Sequence, residues 1–97
     1  MGTPLQVMGA AHLFKRRFDE AAAKLLLSVQ DHARFPHSYR LLAACYGHMG
    51  RLDEARVIVA RLRAITPLVV PSDLPYRNPE DRELLLSGLR LAVGEAT

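Results

Sequence analysis

Two stretches of this chain carry the same pattern 34 residues apart: Phe18-Asp19-Glu20-Ala21 and Leu52-Asp53-Glu54-Ala55. Each sets an apolar residue, two acids and an alanine at the head of an apolar run with helical spacing. A fixed period of this length marks an array of helical hairpins, in which a unit buries its apolar face only by stacking on a neighbour. Such a chain builds a docking surface of packed helices more readily than an enclosed enzyme pocket.

The punctuation of the sequence predicts five helices. The first runs from about Pro4 to Arg16, with proline suited to an opening turn, and carries Leu5, Met8, Leu13 and Phe14. The second spans about Phe18 to His32, with Asp19 and Glu20 where negative charge meets free N–H groups and Ala21, Leu25, Ser28 and Val29 as its packing stripe. Pro36 precedes a third helix, about His37 to Met49, which Gly50 closes as a left-handed cap. The fourth, about Leu52 to Ile65, has the inner stripe Ala55, Ile58, Val59, Leu62 and Ile65 and stops at Thr66-Pro67. Residues 66–78 hold three prolines and no helical period, and Val69 and Val70 are placed to pin this segment to the hairpins. Asn78-Pro79-Glu80-Asp81 then makes a strong helix start for a fifth helix, about Pro79 to Val93, ending near Gly94.

That last helix is unusually apolar. Leu84, Leu85, Leu86, Leu89, Leu91, Ala92 and Val93 cover more than half of its circumference, leaving Glu80, Glu83, Ser87 and Arg90 as a polar strip. The expectation is that Leu85 and Leu89 pack on the second hairpin, while Leu84 and Leu91 face a second copy or a neighbouring domain.

At 97 residues the chain fits one domain with one modest core. Apolar residues make up 49% of it, which argues against a disordered tail, and no apolar stretch is long enough to span a bilayer. Without a basic-then-apolar leader pattern the expected compartment is the cytoplasm. Met1-Gly2 opens like a myristoylation site, but Gln6 stands where Ser or Thr is required. The net charge of +3 is uneven: residues 1–67 hold ten Lys/Arg against five acids, and residues 68–97 three Arg against five acids. This steers an acidic partner to the first two-thirds, yet it is too mild and scattered for nucleic acid. Lys15-Arg16-Arg17 reads as a helix C-terminal charge cluster.

Residues 37–67 resemble a tetratricopeptide repeat. Tyr39 stands at the large aromatic position early in helix A, Leu42-Ala43 at the leucine and small-residue pair, and Tyr46 at the second aromatic. Gly50 matches the turn glycine, Ala55 the small residue where helix B meets helix A, and Ile65-Thr66-Pro67 the closing proline region. Residues 3–36 are similar but divergent: Met8-Gly9 and Ala21 fit, His12 replaces an aromatic, Arg16 replaces the turn glycine, and proline comes late at Pro36. The resemblance covers about two-thirds of the chain. It implies an all-α superhelix of two hairpins (3–36 and 37–67), a linker (68–78) and a capping helix (79–94). A narrower similarity links Phe35-Pro36-His37-Ser38-Tyr39-Arg40, Gly50 to Arg56, Tyr76-Arg77 and Leu85 to Arg90 to the C-terminal tails of bacterial class III adenylate or guanylate cyclases and of repeat-bearing winged-helix transcription regulators. It implies a regulatory or oligomerising segment of a signalling protein, with any cyclase or DNA-binding domain elsewhere. No cyclase metal-binding aspartates in a strand context and no nucleotide-binding loop occur here.

The resemblance also implies a partner groove lined by helix A: Gln6, Ala10, Leu13 and Phe14 from the first repeat, and His37, Arg40, Ala44, Gly47 and His48 from the second. Arg40, Ala44 and His48 share a helix face, and Arg40 is suited to pair bidentately with a carboxylate of a protein or peptide. Catalysis and metal binding have weaker support. Cys45 is the sole cysteine and sits in an apolar stretch, the four histidines do not converge, and the recurring acid pairs fit helix starts. The chain is therefore expected to be a non-enzymatic interaction module without cofactor, with a possible homodimer contact through the C-terminal helix and no membrane partner.

Overall fold

The computed structural model describes residues 4–71 and 76–94, and every regular element among them is a helix. They are α1 (Pro4–Phe14), α2 (Phe18–Asp31), α3 (Pro36–His48), α4 (Leu52–Ile65) and α5 (Pro79–Val93). The chain is all-α, and each element lies within two residues of its sequence-based position. α1 stops at Phe14 because Lys15 and Arg16 already form the turn. α3 opens one residue early because Pro36 fits the first helical turn, where its missing N–H costs nothing.

The period seen in the sequence is also a period of backbone geometry. α2 and α4 are both 14 residues long and start 34 positions apart, at Phe18 and Leu52. Each is preceded by a residue in the left-handed region, Arg16 at φ 61° and Gly50 at φ 74°. Their N-cap residues are almost superposable in torsion, Arg17 at −93°/70° and Arg51 at −86°/67°. The hydrogen bonds recur in the same register. Arg17 N–H donates to the His12 carbonyl at 2.9 Å and Arg51 N–H to that of Tyr46 at 3.0 Å. At the helix ends, His32 N–H bonds the Ser28 carbonyl and Thr66 N–H the Leu62 carbonyl, both at 2.9 Å.

Within hairpin one, α1 and α2 approach closely because Gly9 has no side chain: a Cβ there would lie 2.5 Å from Leu25 Cγ. Leu13, Ala21 and Leu25 are fully buried along this seam. In hairpin two, Leu41, Leu42, Ala43, Cys45, Ala55 and Leu62 are completely buried, with Ile58 and Val59 nearly so. Ile65, expected in the inner stripe of α4, is 36% exposed because the helix ends there and its last turn runs past the core. A small polar knot joins the hairpins. Gln6 Nε2 donates to Ser38 Oγ at 2.7 Å, and Ser28 Oγ lies 3.0 Å from the same hydroxyl. All three residues are buried, so these bonds replace lost hydration at the seam.

α3 is the central helix, packed on α2, α4 and α5. α5 starts as its sequence promised, with Asn78 Oδ1 accepting from Glu80 N–H at 2.9 Å, and closes on Gly94 at φ 83°. It crosses α3 much more extensively than α4. Glycines permit this: a Cβ on Gly47 would strike the carbonyl of Gly88, and one on Gly88 would lie 2.7 Å from the Ala44 carbonyl. Leu85 and Leu89 are fully buried in the common core, which Val69 from the segment leading to α5 joins at 8% exposure.

Candidate functional site

The predicted groove residues of α1 and α3 are covered, Gln6 by hairpin two and Phe14 and the α3 positions by the C-terminal segment. Gln6 is buried in the inter-hairpin knot, Ala10 is 9% exposed, and Leu13 is fully enclosed. Ala44 and Gly47 lie beneath the backbone of α5 at Gly88. His48 Nε2 bonds the Leu84 carbonyl at 2.7 Å. A carbonyl only accepts, so Nε2 carries the proton and donates. The His48 ring also stacks on Phe18, centroids 5.1 Å apart.

The linker takes up the remaining positions. Arg40 Nη2 donates to the Leu68 carbonyl at 2.7 Å, and its Nε is buried with no hydrogen-bond partner. His37 Nε2 and the Tyr76 hydroxyl share a bond of 2.6 Å. Phe14 meets the Tyr76 ring edge-on at 4.7 Å between centroids. Arg82 Nη1 in α5 donates to the Tyr76 carbonyl at 2.9 Å, fixing Tyr76 from the far side. The candidate groove positions Gln6, Ala10, Phe14, His37, Arg40, Ala44 and His48 are thus not an open surface among the described residues. Leu68, Tyr76 and α5 cover Phe14, His37, Arg40, Ala44 and His48, while Gln6 is taken up by Ser38; residues 72–75 of the linker lie outside the described residues.

This covering shifts protonation equilibria. Burial, reinforced by the Arg40 charge, lowers the His37 pKa to about 4, so the imidazole is neutral near pH 7. Burial and then the Asp81 charge raise the Tyr76 hydroxyl to about 12. The latch is therefore a bond between two neutral groups. Nothing in it resembles a general acid or base poised near neutrality.

Other chemistry-bearing residues are similarly committed. Cys45 is buried and its thiol is pushed up to about 12 by burial, far from the thiolate a nucleophile requires. Glu54 pairs with Arg51 at 2.5 Å and Asp53 with Arg56 at 3.7 Å, and Glu20 lies 3.4 Å from His12 of α1, each acid sitting in the first turn of α2 or α4. Among the described residues no group of three His, Cys, Asp or Glu side chains converges as a metal site. Nor is any described helix long and apolar enough to cross a membrane.

Leu84 and Leu91, expected together at an external contact, are separated by the fold. Leu84 is 8% exposed and belongs to the chain's own core, whereas Leu91 is 37% exposed on the outside of α5. The tight crossing at Gly47 and Gly88 sets the rotation of α5 and turns Leu84 inward. Sequence reasoning named Tyr76 only within the narrower resemblance and gave it no contact, since an aromatic in a proline-rich linker carries no periodic signal. It also read Ser28 as a packing position without its hydroxyl partner.

No family model, curated protein or solved structure matches this chain.

Proposed function

We propose that this chain is a non-catalytic interaction module of the tetratricopeptide kind, a regulatory or oligomerising segment of a bacterial signalling protein. The observation that carries this reading is the 34-residue recurrence, which extends from residue types to turn torsions and capping hydrogen bonds. A repeated hairpin provides rigid, regularly spaced helix surfaces, and rigid surfaces lose little entropy on association. The commitment of Cys45, His37, His48 and the acid pairs to packing or helix-start roles supports a non-enzymatic reading.

With the inner face filled by the chain's own segment, partner contact belongs to the outer helix faces. Val7, Met8, Leu26, Leu27 and Val57 are all exposed there. Site-specific photocrosslinking in cells tests this. A crosslinker at Val7, Leu27 or Val57 is expected to trap one recurring protein, this chain itself included, while one at Phe14 traps none. Recurrent capture from Phe14 with none from the outer faces would refute the reading.

A further inference from the structure

The two hairpins are nearly equivalent in backbone but not in burial. In α3, Ser38, Leu41, Leu42 and Cys45 follow i, i+3, i+4, i+7 spacing and are all fully buried. Ser38 holds this face against hairpin one through Gln6 and Ser28. Shifted back by 34 residues, the same positions of α1 are Pro4, Val7, Met8 and Ala11. All four are exposed, Val7 at 58% and Met8 at 44%. The opposite end of the array shows no such gap. Gln6, Ala10 and Leu13 of hairpin one have as equivalents Arg40, Ala44 and Gly47 of hairpin two, and Leu68 and α5 cover these. Among the described residues the stack is closed at one end and open at the other, and the open face continues in register the interface that joins the hairpins.

We propose that this outer face of α1 is the docking site for a second copy of the chain, applied face to face about a two-fold axis. Copies cannot stack head to tail while α5 seals the far end, so only an isologous contact satisfies both open faces. The four residues carry no charge, so identical faces meet without repulsion. On an antiparallel two-fold passing near residue 9, Val7 of one copy meets Ala11 of the other, large against small. The same geometry puts the two Lys15-Arg16-Arg17 runs at opposite ends of the contact. The face is one short helix, well below the roughly 800 Å² per partner of a stable complex, so the dimer is weak and concentration-dependent.

Sedimentation of the intact chain from about 5 μM to about 1 mM tests the proposal, with the Met8 methyl resonance as a local probe. The expected result is a mass rising from one chain toward two, with the Met8 signal shifting over the same range. Val7→Asp and Ala11→Glu should each weaken association at least tenfold with unchanged helical circular dichroism, and Leu91→Glu should leave it intact. Strict monomer behaviour at 1 mM would overturn the proposal and leave the face to a helical hairpin of another protein. A dimer that survives Val7→Asp and dissolves with Leu91→Glu would also overturn it, in favour of contact through α5.

Discussion

Replacing Arg16 with glycine should stabilise this protein. Arg16 has φ 61°, in the left-handed region that L-residues avoid because Cβ crowds the following carbonyl. That conformation costs about 1–2 kcal/mol for a residue with a Cβ. Glycine removes the cost but gives the unfolded chain more freedom, a penalty of about 0.5–1 kcal/mol. The net gain is about 0.5–1 kcal/mol, equivalent to a rise of roughly 2–8 °C in the melting temperature of a domain this size. Gly50 is the internal control, since it occupies the equivalent turn at φ 74° and an added Cβ would meet nothing within 4 Å. Gly50→Ala should therefore lose a similar amount for purely conformational reasons.

Urea titrations of the wild type, Arg16→Gly, Arg16→Ala and Gly50→Ala measure this directly. Arg16→Ala separates backbone from side chain, because it removes the guanidinium but keeps the Cβ; its midpoint should barely move. The reasoning fails if Arg16→Ala stabilises as much as Arg16→Gly, which would trace the effect to the crowded charges of Lys15, Arg16 and Arg17. It fails equally if Arg16→Gly destabilises or Gly50→Ala is neutral.

Leu89→Ala should cost about 2–5 kcal/mol in a urea titration because the side chain is fully buried, whereas Leu91→Ala, at 37% exposure, should stay within about 0.5 kcal/mol. Gly88→Ala should cost about 1–3 kcal/mol and expose α5 to faster hydrogen exchange, since its Cβ would press on the backbone carbonyl of Ala44 rather than on a yielding side chain. Ser38→Ala removes a hydroxyl bonded to two buried partners and should cost about 1–3 kcal/mol, with Gln6→Ala and Ser38→Ala losses less than additive in a double-mutant cycle. For His37 the folded pKa of about 4 lies below the unfolded value near 6.5, so the unfolded chain takes up the proton first on acidification. Its contribution is complete above about pH 6.5 and is lost as pH falls toward 4. Allowing for partial solvent screening, it amounts to on the order of 1–3 kcal/mol, and His37→Gln should flatten the stability profile in that window.

Features set by neighbouring residues were legible in the sequence. The acids after Phe18 and Leu52, Pro79 behind Asn78, and the glycines at 50 and 94 each mark a helix end through backbone chemistry within a few residues. The whole order of elements follows from them. Arg16 was readable as a departure from glycine, but only the torsion shows that the chain accepts strain there rather than changing the turn. The candidate groove was not legible, because its state depends on where a distant helix lands. Nothing near Ala44 or Gly47 announces that α5 will lie across them. The placement follows from a complementarity of Gly47 with Gly88 that is visible only in three dimensions. The same crossing decides between Leu84 and Leu91, since a helix apolar around most of its circumference does not declare which side faces in. Tyr76 was illegible for another reason: its role depends on His37, Phe14 and Arg82 converging from three different helices.

The filled inner face changes what the resemblance to a repeat array implies for this chain. A concave helix-A surface is useful to a partner only when its polar groups are free to bind. Here His37 is held by Tyr76, Arg40 by the Leu68 carbonyl and His48 by the Leu84 carbonyl. A peptide entering that face would have to replace all three bonds and also re-cover Leu85 and Leu89, each a fully buried leucine worth about 1.5–3 kcal/mol of burial. Competing from outside against a covalently tethered segment is harder still, because the tether gives α5 a high effective concentration. The outer face of α1 carries no such burden: its exposed apolar side chains gain burial on contact and displace nothing. Energetically, association at the open end of the stack is therefore favoured over entry into its interior.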